Sequence, residues 1–264
     1  MTQPPDGTAS LEGLVEAGLL QLDSLHPGGL ELTRRLAELC GVRAGADVLD
    51  VASGTGETAC FLASEFGARV EGVDSSTEMI RRGRDRARAR GLDIGFTRAD
   101  AARLPFPDES FDVVLCECTL CLLDKQRVLA EMVRVVRLGG HVGMHDLCWR
   151  PDAPGRVKHA LAELEGERPE TLEGWRRQFL DAGLVDLQAI DESQAKSTWL
   201  RDSHRRLGLW GQIVLAFQVL RRWGPGGLMR VLRSERVFAN DALGYGLVVG
   251  TRPMVGVPSG AKAS

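Results

Sequence analysis

The residues of this chain best suited to holding a ligand lie in one segment, VLDVASGTGETA, residues 48–59. An apolar run that reaches the acidic residue Asp50 leads directly into a turn that contains Gly54 and Gly56. These glycines have no Cβ, so the backbone can turn sharply there and approach a ligand closely. The residues from Glu57 onward predict a helix whose N-terminus faces the same ligand. The segment therefore predicts a nucleotide-binding loop.

Two classes of cofactor fit this loop. The spacing of Gly54, Gly56 and Ala59 matches the fingerprint of dinucleotide-binding enzymes, in which a later acidic residue, here Asp74, binds the ribose. Asp50 separates the two classes, because its carboxylate would repel a pyrophosphate but would hydrogen-bond the ammonium of an amino-acid group. The loop therefore favours a cofactor that carries an amino acid. A nicotinamide-dependent oxidoreductase stays as the alternative.

Three further motifs follow the loop in order, and together with it they resemble the class I S-adenosylmethionine-dependent methyltransferases. The resemblance extends from about residue 41 to about residue 147. It implies an α/β fold with a doubly wound, seven-stranded, mostly parallel sheet of Rossmann-like type. The three motifs are a strand-like run before Asp100-Ala101, the segment LPFP at 104–107 and the segment SFDVVL at 110–115.

The resemblance also implies S-adenosylmethionine as the cofactor and assigns its contacts. The loop backbone would line the methionine moiety with Asp50 near its ammonium, and Asp74 would accept hydrogen bonds from the ribose hydroxyls. Met79 would lie against the adenine ring, where a polarizable thioether packs well. The chain departs from the family's pattern at Ala52, where the family usually has glycine. The expected cofactor-binding residues are Asp50, Ala52, Gly54, Gly56, Asp74, Ser75, Met79, Asp100, Ala101 and Cys116.

Methyl transfer needs an acceptor in line with the methyl group and, for oxygen, nitrogen or carbon acceptors, a group that takes a proton. Such groups belong at the carboxyl ends of the fourth and fifth predicted strands. Glu117, His145 and Asp146 are the candidate catalytic residues there, and His26 is a fourth that could reach in from an N-terminal lid. We therefore expect a small-molecule methyl acceptor.

The cysteines offer an alternative acceptor. Cys118, Cys121 and Cys148 lie near two predicted strand ends, and thiolates suit a soft acceptor such as a thiol or trivalent arsenic. The competing interpretation is that these are small packing residues. The pair at 118 and 121 has no second pair at zinc-site spacing, so we expect no structural metal.

The composition of the chain argues against nucleic-acid and membrane partners. The chain has 264 residues, of which 44% are hydrophobic, and a net charge of −3, which argues against a nucleic-acid binder. No twenty-residue apolar run appears, so we expect no membrane partner, a cytoplasmic location and reduced cysteines.

Strands and helices alternate along the chain, as in a parallel doubly wound sheet. We expect helices between the first five strands. The predicted strands lie near 47–51, 69–73, 93–98, 111–117, 140–146, 184–190 and 243–250. The predicted divisions are 1–40, with lid helices at 11–22 and 30–40; a cofactor-binding core, 41–190; a helical insertion, 191–242; and the last strand with a flexible tail, 243–264.

The insertion between the last two strands carries an apolar segment, residues 209–220, with arginine pairs on both sides. It is too short to span a bilayer, and three interpretations stay open: a buried cap over the acceptor, a homodimer face and a helix at a membrane interface. A non-catalytic interaction protein that keeps the loop and buries this segment against a partner is the remaining functional alternative.

Overall fold

The computed structural model describes residues 9, 13–14, 19 and 29–254, of which residues 195–209 are described by their backbone alone. The predicted helix at 11–22 therefore lies almost entirely outside the described residues. Seven helices follow: α1 Gly29–Leu39, α2 Glu57–Phe66, α3 Thr77–Ala89, α4 Lys125–Val135, α5 Gly155–Glu165, α6 Leu172–Asp181 and α7 Ser193–Phe238. The strands are β1 Asp47–Val51, β2 Arg69–Asp74, β3 Gly95–Arg98, β4 Phe111–Glu117, β5 Val136–Trp149, β6 Glu170–Thr171, β7 Val185–Asp191 and β8 Leu243–Thr251.

All seven predicted strands are present in one sheet with the order β3-β2-β1-β4-β5-β8-β7. Strands β1 to β5 run parallel, and β8 runs antiparallel to both of its neighbours, β5 and β7. The short strand β6, which the sequence did not predict, pairs with the end of β5. The sheet is therefore doubly wound and mostly parallel, and its ligands belong beyond the carboxyl ends of the strands.

The prediction of a helix between β3 and β4 is wrong, because residues 99–110 form turns, bends and one isolated β-bridge between Asp100 and Arg103. Pro105 and Pro107 have no backbone N–H and cannot continue a helical hydrogen-bond pattern. The Arg134 side chain of α4 holds this connection instead, by donating to the carbonyl oxygens of Leu104 at 3.0 Å and Phe106 at 2.8 Å. The chain therefore crosses from β3 to β4 in a turn that one guanidinium fixes.

The aromatic ring of Phe96 on β3 packs between the glycine-rich loop and the sheet and fixes the position of the loop. A Cβ added to Gly56, Gly72 or Gly83 would in each case come within 2.7 Å of the Phe96 ring. These glycines lie in the loop, in β2 and in α3, so the ring packs against the backbone of all three. The close packing explains why Gly56 ends the loop, and it fixes the loop where β1 ends.

Helix α7 connects β7 to β8 and is anchored near its C-terminal end. The Arg230 guanidinium donates to the carbonyl oxygen of Leu164 on α5, and the Ser234 hydroxyl donates to the Glu165 carboxylate. Val219 is fully buried. Among the described residues, no helix combines the length and apolar character needed to cross a bilayer.

Because Phe96 contacts Gly83, we expect a glycine-to-alanine substitution at this helical position to destabilise the protein, which is the opposite of the usual effect. Replacing glycine by alanine inside a helix normally stabilises a protein by about 1 kcal/mol. We expect Gly83→Ala to lower the free energy of unfolding by about 1–3 kcal/mol instead, because the new methyl group would overpack against the ring. Urea denaturation measures the difference.

Gly226→Ala is the matched control, because Gly226 lies inside α7 and an added Cβ would meet no atom within 4 Å. This variant should follow the normal helix rule and be stabilised. If Gly83→Ala is stabilised equally, the ring does not hold the loop in place.

Candidate active site

Parallel pairing brings three acidic side chains to one edge of the sheet. Asp50 of β1 pairs in register with Gly72 of β2 and with Leu115 of β4, so the ends of these strands, at Asp74 and Glu117, lie beside the end of β1. Asp50 is 2% exposed, and burial raises the pKa of its carboxyl well above the usual range, with Glu117 and Asp74 adding to the effect. Its Oδ2 atom has no hydrogen-bond partner among the described residues.

The loop after β1 has the conformation that the sequence suggested. Ala52 has φ of 59°, a left-handed backbone that glycine adopts more readily, which explains the family's preference for glycine there. The Ser53 amide donates to the Val73 carbonyl oxygen at 2.8 Å and ties the loop to β2. Gly54 also has a positive φ, of 51°, and a Cβ added there would meet no protein atom within 4 Å. Gly54 therefore faces open space, whereas Gly56 faces Phe96.

Asp74 links this loop to the next helix. Its Oδ2 atom accepts from the Gly54 amide at 2.9 Å, and its Oδ1 atom accepts from the Ser76 amide at 2.8 Å. Burial raises its pKa, while these backbone hydrogen bonds oppose the rise. Each oxygen keeps a lone pair for a further donor, as a ribose diol requires. Ser75 beside it is exposed.

The residues expected around adenine occupy the ends of β2 and β3. Met79 lies on the first turn of α3 and is 8% exposed. Asp100 is exposed, and its Oδ1 atom accepts from the Ala102 amide at 2.9 Å, which shapes the turn that also contains Ala101. Cys116 is fully buried in the core, so only its backbone can serve a ligand. The adenine roles stay predictions.

Glu117 is at the centre of a buried hydrogen-bond network. The hydroxyl of Thr33 on α1 donates to it at 3.0 Å, and that of Thr58 on α2 donates at 2.7 Å. The Nδ1 atom of His145, which is fully buried, lies 3.8 Å from the Glu117 Oε1 atom. The same nitrogen lies 3.9 Å from the Cys118 sulfur. The structure therefore brings two predicted catalytic residues together, and it adds two threonines that the sequence did not single out.

Asp146 has different partners from its neighbour His145. Its Oδ2 atom accepts from the Cys121 amide at 3.0 Å and its Oδ1 atom accepts from the Leu147 amide at 2.7 Å. Burial raises the pKa of Asp146 to about 6. These two hydrogen bonds favour a role in fixing the turn after β4. His26, the fourth predicted catalytic residue, lies outside the described residues.

Tyr245 is a site residue that sequence reasoning missed. It lies on β8 opposite Leu147, is 4% exposed, and its ring centroid is 5.6 Å from that of His145. Burial raises the pKa of its hydroxyl well above the usual range, and Cys118 and Glu167 add to the effect. Its being the single tyrosine of the chain was the available signal. The sequence could not show that β8 lies against β5.

The cysteine environment opposes the soft-acceptor alternative. Burial raises the pKa of the Cys118, Cys121 and Cys148 thiols, and the carboxylate of Asp146 reinforces this, so the thiolate form is disfavoured. Within the described part of the chain, no group of three His, Cys, Asp or Glu side chains could hold a metal ion. These cysteines therefore fit the packing interpretation.

The loop and its neighbours fit S-adenosylmethionine. The buried Asp50 Oδ2 and Ser53 Oγ atoms have no protein partner among the described residues, and both lie at the loop where an amino-acid group is expected. The space above Gly54 leaves room for a ligand against the backbone. The arrangement can therefore hold a cationic amino-acid cofactor at β1 and β2, with reacting groups on β4 and β5.

Comparison with known proteins agrees with this geometry. The family model described as "Methyltransferase domain" matches residues 48–140. The 27-O-demethylrifamycin SV methyltransferase of Amycolatopsis mediterranei is 30% identical over 238 residues, which cover 87% of this chain and 86% of that protein. Methyltransferase GfsG of Streptomyces halstedii is 34% identical over 180 residues, which cover 66% of this chain and 65% of GfsG. The chain thus spans just under two thirds of GfsG.

A solved structure shares the fold. Phosphoethanolamine N-methyltransferase 2 of Haemonchus contortus, in complex with S-adenosyl-L-methionine, superposes with a TM-score of 0.74 at 20% identity. The superposition covers 95% of this chain and 59% of that one. At this level of identity the likeness extends to the sheet and its helices.

The open space at Gly54 gives a prediction for cofactor binding. We expect Gly54→Val to abolish S-adenosylmethionine binding, because the branched side chain would occupy the ligand's path. The left-handed backbone adds a stability cost of about 1–2 kcal/mol. Calorimetric titration measures the binding, and thermal unfolding shows that the variant is folded.

Gly91→Val is the matched control, because Gly91 has φ of +66° with no atom within 4 Å of an added Cβ and lies beyond α3. It should lose similar stability yet bind the cofactor normally. If both variants bind equally well, Gly54 does not face the ligand.

The burial of Asp50 gives a prediction for pH dependence. Because burial raises its pKa in the free protein, the carboxyl keeps its proton to higher pH than an exposed carboxyl does, and a nearby ammonium would favour the loss of that proton. We expect cofactor binding at about pH 6, where the cofactor's amino group is protonated, to release protons, and affinity to rise with pH. Calorimetry in buffers of different ionisation enthalpy measures the number released.

Asp50→Asn removes the titrating carboxyl. The number of protons released on cofactor binding should therefore fall to the number that other groups release, and the cofactor affinity should lose most of its pH dependence. Unchanged proton release in this variant would show that Asp50 does not face the ammonium.

The glycine-rich loop, the held Asp74 and the unpartnered Asp50 oxygen form a site for a cofactor with an amino-acid group, and a relative similar over most of both chains is a methyltransferase. These findings contradict the alternative interpretation as a nicotinamide-dependent oxidoreductase. The chain belongs to the class I S-adenosylmethionine-dependent methyltransferases, and S-adenosylmethionine is its cofactor.

Proposed function

We propose that this methyltransferase acts on a hydroxyl oxygen of an uncharged organic molecule that binds at the carboxyl ends of β4 and β5 and at the start of β8. The observation that carries the proposal is the charge of this region. Beyond the effect of burial, the carboxylates of Glu167 and Asp146 raise the pKa of Tyr245, so they give this region negative charge, whereas the nearby thiols of Cys118 and Cys121 are uncharged. A phosphorylated acceptor would meet repulsion there, whereas an uncharged one would not.

One cation near this region, Lys125, already has two partners. The Lys125 ammonium lies 3.7 Å from the Glu170 carboxylate and 5.5 Å from the centroid of the Trp175 ring. Trp175 is fully buried and donates from Nε1 to the Leu147 carbonyl oxygen at 2.8 Å. Lys125 is thus held by a carboxylate and an aromatic face. This arrangement further disfavours an anionic acceptor.

A relative supports the choice of oxygen. The Amycolatopsis protein is similar over 87% of this chain. Its name gives a 27-O-demethylrifamycin as the substrate, which is an organic molecule that lacks a methyl group on oxygen. A hydroxyl acceptor loses a proton during methylation, so the enzyme needs a group to take it. The pair formed by Glu117 and His145 supplies such a group.

S-adenosylmethionine supplies an electrophilic methyl group when it is bound. The imidazole of His145 takes the hydroxyl proton, and the Glu117 carboxylate, 3.8 Å from its Nδ1 atom, stabilises the imidazolium that results. Thr33 and Thr58 donate to Glu117 and hold its carboxylate in place. Asp146 holds the turn after β4, which together with the buried ring of Tyr245 limits the access of water.

The acceptor class can be tested with a probe that this chain offers. Because Tyr245 is the only tyrosine, incorporation of 3-fluorotyrosine gives one ¹⁹F resonance from the site. We expect hydroxyl acceptors that support S-adenosylhomocysteine release, screened from polyketides and phenols, to shift this resonance. Phosphoethanolamine and geranyl diphosphate should neither shift it nor be methylated.

Glu117→Gln separates binding from chemistry, because the amide keeps an oxygen for the threonine hydroxyls. It should keep the ¹⁹F shift and lower kcat by about 10²–10⁴-fold. Glu173→Gln, on the exposed face of α6, should change neither. Turnover of a phosphorylated acceptor with a shift at Tyr245 would overturn the proposed acceptor class.

A further inference from the structure

Helix α7 carries a stripe of exposed apolar side chains. Trp210 is 79% exposed, Ile213 51%, Val214 49% and Phe217 64%, and their spacing places all four on one side of the helix. Leu220, 40% exposed, extends the apolar surface at one edge. We name these five residues the α7 stripe. The rest of the described chain does not cover the face that carries the stripe, although Val219 on the opposite side of the helix is fully buried, and this exposure opposes the interpretation as a buried cap.

The charge around the stripe is strongly one-sided. Residues 210–238 contain five arginines and one glutamate, although the whole chain has a net charge of −3. Arg221 and Arg222 follow the stripe directly and are exposed, and Arg222 lies over the Trp223 ring at 5.2 Å. A basic helix therefore projects an apolar face from an otherwise acidic protein.

We propose that the α7 stripe docks on the surface of an anionic lipid bilayer. A helix that lies in a membrane interface combines a basic polar face with exposed tryptophan, phenylalanine and leucine, and it binds through apolar burial and attraction to anionic lipids. Trp210 at one end of the stripe and the arginines at the other match that combination. This proposal departs from the expectation of no membrane partner drawn from the sequence.

The size of the stripe disfavours a second copy of the chain as the occupant. From Trp210 to Leu220 the helix rises about 15 Å. A stable protein interface takes roughly 20–30 residues from each partner, several times the number in the stripe. A bilayer needs no matching set of partner residues. The anchoring of α7 to α5 through Arg230 and Ser234 would hold the stripe at a fixed angle to the protein.

The proposal is tested by flotation of the full chain with phosphatidylcholine vesicles that contain or lack phosphatidylglycerol. We expect binding to the anionic vesicles that weakens as salt is added. The double variant Trp210→Ser, Phe217→Ser should weaken binding about tenfold or more. The double variant Arg221→Gln, Arg222→Gln should weaken it and reduce its salt dependence.

Leu180→Ser is the matched control, because Leu180 is 50% exposed on α6, outside the stripe. It should bind vesicles as the unchanged chain does. Cofactor titration of every variant checks that the core is folded and keeps this test independent of the acceptor proposal.

Four results would overturn the proposal. One is the absence of binding to anionic vesicles, and another is binding that the stripe substitutions leave unchanged. The third is a dimer, seen by analytical ultracentrifugation without lipid, that dissociates in the Trp210→Ser, Phe217→Ser variant, which would assign the stripe to a second copy. Binding to RNA in place of vesicles would assign the arginines to nucleic acid and also contradict it.

Discussion

Asp50, Asp74 and Glu117 lie together at the carboxyl ends of three adjacent parallel strands, where burial removes much of the water that would stabilise their charge. Each is accommodated differently. Asp74 accepts two backbone amides, and Glu117 accepts two threonine hydroxyls from α1 and α2. Asp50 keeps one oxygen without a partner among the described residues. The loop, α1 and α2 therefore take their places around carboxylates that the sheet brings together.

The edge of the sheet at which these carboxylates lie has two parts with different chemistry. At β1 and β2 the carboxylates suit the cationic and hydroxyl groups of S-adenosylmethionine. At β5 and β8 the His145 and Tyr245 rings lie beside each other, and the nearby carboxyls of Asp146 and Glu167 make the region unfavourable for anions. The same excess of negative charge thus attracts the cofactor and, as we propose, selects an uncharged acceptor.

The cofactor half was predictable from the sequence because its signals are local. The apolar run before Asp50, the glycine spacing and Asp74 all lie within one strand–loop–helix unit and the strand that follows. Gly54 and Gly56 appeared equivalent in sequence, and only tertiary packing against Phe96 separates their roles. The alternation of strands and helices predicts a helix between β3 and β4, but Pro105 and Pro107 prevent one from forming there.

The acceptor half was less predictable because its contacts join distant parts of the chain. The Thr33 hydroxyl bonds Glu117 from 84 positions away, and Tyr245 reaches His145 only because β8 pairs with β5. The sequence indicated an apolar insertion but left three interpretations of it open. The exposure of the α7 stripe, which opposes the buried-cap interpretation, depends on how the helix leaves the sheet.

The position of β8 also constrains how the chain can fold. The last strand in sequence, Leu243–Thr251, lies inside the sheet between β5 and β7. Strand β7 therefore has no place in the sheet until β8 has been synthesised and inserted, some fifty residues later. Such late, long-range pairing is slow and leaves a strand edge of β5 unpaired in the meantime. During synthesis the first five strands can assemble before β8 is available and display an unpaired edge at β5, and an unpaired strand edge favours aggregation.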